Sequence, residues 1–231
     1  MASTAWARVG AATGSLFVLV FVAAQAVAIV EKPEIGLAPP EDIVAFVEAN
    51  RARLGQVPIA QVLAWSAFIW FMGSLRSALA EREGSPYRLS AVTFGSGILI
   101  AGLFIAAAAL QLEIVFGDWS TTDPDAVNAR WAIYDASDGF IGITPFIRAV
   151  LLASASLITL RHGGLPRWLG WVGIVAAVVN FVGGFDSLAP EGVSITGHQL
   201  SDLFIFLAWI MLASIVLVRS PHQQAPPPVA G

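Results

Sequence analysis

The chain has 231 residues, of which 57% are hydrophobic and only 12% charged, with a formal net charge of −4 and a mean hydropathy of +0.75. Soluble globular domains carry about 25% charged residues, so one water-soluble core cannot absorb this much apolar surface and the bilayer must be part of the solvent. Cysteine is absent, which excludes disulfides, thiol nucleophiles and thiolate metal sites. The basic residues are scattered, with no cluster suited to nucleic acid.

Six stretches meet or approach the ~20 apolar residues that a spanning helix requires. The first, Val9–Val30, carries no charge. Arg8 ahead of it and the string Ala24-Gln25-Ala26-Val27-Ala28 within it also fit a cleaved signal peptide. The apolar run is longer than the ~15 residues at which an h-region ends, so an uncleaved helix is expected. Next comes an outer connection, where Pro39-Pro40-Glu41-Asp42 suits a helix start. Ile43, Val44, Phe46, Val47 and Leu54 follow at helical spacing and predict a short amphipathic helix lying as a cap on the outer face.

The second span is Val57–Leu75 and the third Leu89–Leu112. An acidic loop, Gly117–Arg130, leads to the fourth, Ser137–Leu160, which contains Asp138 and Arg148. Gly139 and Gly142 weaken its outer part, and Pro145 lacks the N–H that would bond the carbonyl of Ile141, so a kink is predicted there. The fifth span is Trp168–Phe185, and the sixth, His198–Val218, holds Asp202 one turn in. Open strands cannot satisfy their backbone in lipid, so the fold class is all-α: a polytopic bundle of six transmembrane helices over residues 1–219. A Pro-rich tail at 220–231, expected to be disordered, follows it.

With the N-terminus inside, the inner segments hold Arg8, Arg76, Arg82, Arg88, Arg161, Arg167 and Arg219, against Lys32, Arg51, Arg53 and Arg130 outside. The positive-inside bias therefore places both termini in the cytoplasm. Trp6 and Trp168 fall at the inner boundary and Trp119 and Trp131 at the outer one, as an aromatic belt would have them. Gly10-x-x-x-Gly14, Ala24-x-x-x-Ala28, Gly97-x-x-x-Ala101 and Gly173-x-x-x-Ala177 mark faces where helices approach closely.

Arg148 is the best pointer to a site. A guanidinium near the bilayer centre costs at least ~2.5–3.5 kcal/mol on insertion scales and must find polar company. Counting depth at ~1.5 Å per residue, Asp202 and Asn180 match it in depth as partners, and a carboxylate suits the planar fork best. An Arg148–Asp202 contact is predicted, direct or through water. A second constellation gathers at the outer helix ends. His198 and Asp202 share a helix face, as do Asp135 and Asp138, with Glu113 and Asp186 at similar depth. It admits ordinary helix-end residues, a proton or ion path, or a divalent cation. No G-x-S-x-G elbow is present.

The stretch Pro166-Arg167-Trp168-Leu169-Gly170-Trp171 opening the fifth span, Gly73-Ser74-Leu75-Arg76 closing the second, and the Pro-rich outer segment leading to Asn50 carry a resemblance. The chain resembles a group of uncharacterised six-helix membrane proteins of actinobacterial type. That resemblance implies the six-span fold and a bacterial inner membrane, and carries over no catalytic residue. The expectation is a small transporter, channel-like or ion-coupled protein built around the broken fourth span, with no cofactor. The alternatives are a membrane subunit or sensor that binds a partner protein, and an intramembrane metal-dependent hydrolase. Its surroundings would be lipid, with a homo-oligomer or a membrane partner as further options.

Overall fold

The computed structural model describes residues 2–28, 38–119, 123–186 and 201–219. Seven α-helices account for nearly all of them: α1 (Ala2–Ala28), α2 (Pro40–Glu83), α3 (Arg88–Phe116), α4 (Pro124–Gly142), α5 (Thr144–His162), α6 (Arg167–Asp186) and α7 (Ser201–Arg219). Six helical segments are long and apolar enough to cross a membrane, with α4 and α5 together forming the fourth. This is the layout of a multi-pass membrane protein. The 220–231 tail, and the expectation of disorder made for it, lie outside the described residues.

The helices close a ring. α1 packs on α2, α2 on α3, α3 on α5, α5 on α6, α6 on α7, and α7 returns to α1. α4 stands beside this ring, against α3 and α2. One end of the bundle carries the turns between α2 and α3 and between α5 and α6, with Arg76, Arg82, Arg88, Arg161 and Arg167. The opposite, acidic end carries Glu113, Asp138, Asp186 and Asp202.

Aromatic side chains fill part of the ring. Phe17 of α1 lies 4.7 Å from Trp65 and 4.9 Å from Phe68 of α2, centroid to centroid. Trp65 stacks on Phe104 of α3 at 4.3 Å, and Phe68 meets Phe206 of α7 at 6.1 Å. All are buried, so α1, α2, α3 and α7 meet on a solid plug of the close-packed kind that protein interiors favour. The small-residue spacings do position neighbours. A side chain at Gly14 would strike Phe71 of α2, and one at Gly97 would strike Met72.

Two sequence expectations change. The segment from Pro40 is helical, but it is no separate cap. It runs unbroken through Pro58 into the second span as one helix of 44 residues. At 1.5 Å per residue that is about 66 Å, roughly twice the hydrocarbon thickness of a bilayer, so α2 projects well beyond its apolar part. Its first turns are held upright by a satellite core in which Ile43 and Val47 pack with Trp119, Val127, Trp131 and Tyr134. Arg51 also donates to the carbonyl of Gly117 at 3.0 Å. Trp119 and Trp131 are therefore buried between elements, not spread in a lipid-facing belt, whereas Trp6 and Trp168 are exposed.

Candidate functional site

The fourth span breaks where the sequence places the strain. α4 ends at Gly142 and α5 starts at Thr144, with Ile143 between them. Pro145 has no N–H for the carbonyl of Ile141; that oxygen instead accepts the Thr144 hydroxyl at 2.6 Å and the backbone N–H of Ile143. The break is thus chemically sealed, and it sets Arg148 one turn into a new helix.

From there Arg148 reaches α7. Its Nη2 donates to Asp202 Oδ2 at 2.7 Å, with only 4% and 7% of the two side chains exposed. The expected partner is present, and the contact is direct. Asn180 of α6, fully buried, fixes the third side. Its Nδ2 donates to the Ala176 carbonyl at 2.9 Å and to the backbone carbonyl of Asp202 at 3.1 Å. The first turn of α7 comes this close because Gly183 of α6 has no side chain: a Cβ there would lie 3.1 Å from that of Asp202. Below the pair, the Arg148 guanidinium carbon sits 5.7 Å from the centroid of Phe206, the α7 member of the aromatic plug.

The group is not self-sufficient. Arg148 Nε and Nη1 and Asn180 Oδ1 are buried without a hydrogen-bond partner. Such atoms each cost roughly 1–3 kcal/mol, and more when charged. Two guanidinium donors and one amide acceptor are therefore left over in this layer. Chemically the pair is asymmetric. The guanidinium keeps its charge, whereas the carboxylate can accept a proton.

The other sequence-selected residues scatter. Glu113 is exposed near the end of α3, and Asp186 is buried at the end of α6. Asp138 lines a separate cavity together with Arg53 and Gln61. The Asp135 side chain and His198 fall outside the described residues. Among the described residues no group of three or more His, Asp or Glu side chains is placed to hold a metal. His162, the one described histidine, is exposed at the Arg-rich end, so a serine–histidine pair at the acidic end would require His198. Sequence reading overlooked Gly183 and Phe206, which the contact between α5, α6 and α7 alone makes relevant. Comparison with protein-family models, curated proteins and solved structures found no match for the chain.

Proposed function

We propose that this chain is a small ion-coupled membrane protein of the transporter or channel-like type, set in a cell membrane with both termini on the cytoplasmic side. Its working group is Arg148 with Asp202 and Asn180. The observation that carries the reading is the buried 2.7 Å ion pair at a helix break, with Arg148 Nε and Nη1 left unpartnered.

A buried ion pair contributes little net stability and is often neutral or worse than an apolar replacement. Its value here would lie in switching. Uptake of a proton by Asp202 releases Nη2, and an anion moving onto the guanidinium restores neutrality, so a proton and an anion enter together. Broken helices in transporters also serve as substrate and ion sites.

The test uses the full chain in phosphatidylethanolamine–phosphatidylglycerol vesicles with a trapped pH-sensitive dye and an imposed pH gradient, with chloride, nitrate or acetate as the anion. Acidification of the lumen should depend on the anion and fall at least about tenfold in Asp202→Asn and Arg148→Leu. Rates equal to those of protein-free vesicles with all three anions would overturn the proposal.

A further inference from the structure

A polar cavity lies away from the Arg148–Asp202 pair, at the acidic end between α1, α2, α3 and α4, with a volume of about 130 Å³. Its wall carries amide groups from three different helices: Gln25 of α1, Gln61 of α2 and Gln111 of α3. All three amides are tethered. Gln61 Nε2 donates to Gln25 Oε1 at 3.2 Å, and Gln111 Nε2 donates to Ser137 Oγ at 3.1 Å. The tethers fix which atoms remain. Gln61 is 4% exposed, and its Oε1 has no hydrogen-bond partner.

The same cavity collects other acceptors. Pro58, one turn before Gln61, has no N–H to return to the carbonyl of Leu54, and both residues line the space. Asp138 of α4 adds a carboxylate to the wall. Among the described residues that line it, the one cationic group is the guanidinium of Arg53, whose residue is exposed to solvent. The buried, unpartnered Gln61 Oε1, with the exposed residues Asp138 and Arg53 supplying one charge of each sign, describes a ligand with a donating, positive head and a negative end. Size narrows it further, since a cavity of about 150 Å³ holds a molecule of benzene's size.

We propose that this cavity binds a small zwitterionic amino acid, its ammonium group donating to Gln61 Oε1 and facing Asp138, and its carboxylate meeting Arg53. The site is distinct from the ion pair, and binding is read at equilibrium without flux, so its failure would leave the ion-coupling proposal untouched, and the reverse.

The experiment is calorimetric titration of the full chain in detergent with glycine, L-alanine and L-serine, and with methylammonium and acetate as half-molecules. At least one zwitterion should bind saturably, and both half-molecules at least tenfold more weakly. Gln61→Met, which keeps the chain length and removes the acceptor, should weaken binding about tenfold or more. Arg53→Ala, at an exposed position where folding is not at stake, should weaken it severalfold. Three results would each overturn the proposal: no saturable heat with any of the three amino acids, half-molecules binding as well as zwitterions, or wild-type affinity in Arg53→Ala.

Discussion

The aromatic plug and the Arg148 layer share a helix and even a side chain, Phe206, yet they are built on opposite terms. In the plug, packing is between apolar rings. Phe17, Trp65, Phe68 and Phe104 lose no polar atom except the indole N–H of Trp65 and gain full ring contacts. In the Arg148 layer, one strong bond is surrounded by donors and acceptors left over. The first region explains how the helices stay together. The second burdens the fold, and a burden carried in an apolar interior points to use.

The largest expected effect separates those two accounts. Removing one member of the pair, as Arg148→Leu or Asp202→Ala, strands the other charge and should lower stability by about 3–5 kcal/mol, read by denaturant unfolding in detergent. The double variant Arg148→Leu/Asp202→Leu should recover most of that loss, because two apolar side chains replace two desolvated charges, while ion-coupled flux stays abolished. Single variants no less stable than the double would show that the 2.7 Å contact carries no coupling.

The plug should behave as ordinary core. Phe68→Ala is expected to cost about 3 kcal/mol, the lower bound for a buried phenylalanine, since the surrounding rings can partly close the space. Transport per folded molecule should persist. Between the two regions sits Gly183. In Gly183→Ala the new methyl group would meet the Asp202 Cβ at 3.1 Å, so the first turn of α7 must yield slightly. A stability change near 1 kcal/mol with a disproportionate loss of anion-dependent proton entry would locate the sensitivity in the pair's geometry. Equal effects of Gly183→Ala and of a plug variant of matched stability on flux would erase the distinction between the regions.

The two regions also differ in how legible they were. Arg148 announced itself because a charge in an apolar run has few solutions, and depth along each helix sufficed to name Asp202 and Asn180. The three glutamines gave the same kind of signal in a weaker form. Gln25, Gln61 and Gln111 each interrupt an apolar run near the acidic end of their span, but an uncharged amide demands less, and only packing reveals that they converge. The continuity of α2 was hidden for a physical reason. Arg51 and Arg53 read as an outer connection ahead of a span starting at Val57, and Gly55 and Pro58 at that junction are residues that weaken helices. The fold overrides them: Gly55 is buried against Val115 of α3, and Pro58 faces the cavity. Trp119 and Trp131 misled similarly, because composition places tryptophan at interfaces without telling a lipid interface from a protein one.

The smallest effect belongs to the Arg-rich end, where Glu83 works as a clamp between α2 and α3 beyond the apolar part of either. Its carboxylate accepts the backbone N–H groups of Leu89 at 2.7 Å and of Ser90 at 2.8 Å, two of the unpaired donors at the start of α3. Partial burial alone would raise its pKa; the hydrogen bonds from Ser90 and Leu89, helped by the nearby charge of His162, outweigh it and hold the carboxyl below the usual glutamate range. A lowered folded-state pKa means that the clamp is complete at pH values above the ordinary glutamate pKa. It is lost only as the pH falls past that value and through the lower folded-state one. Glu83→Gln should therefore cost about 0.5 kcal/mol at pH 7, the scale of a surface carboxylate at a helix N-terminus. The gap to wild type should narrow as unfolding is followed from pH 5 downward, and a gap that widened on acidification would reverse the sign of this linkage.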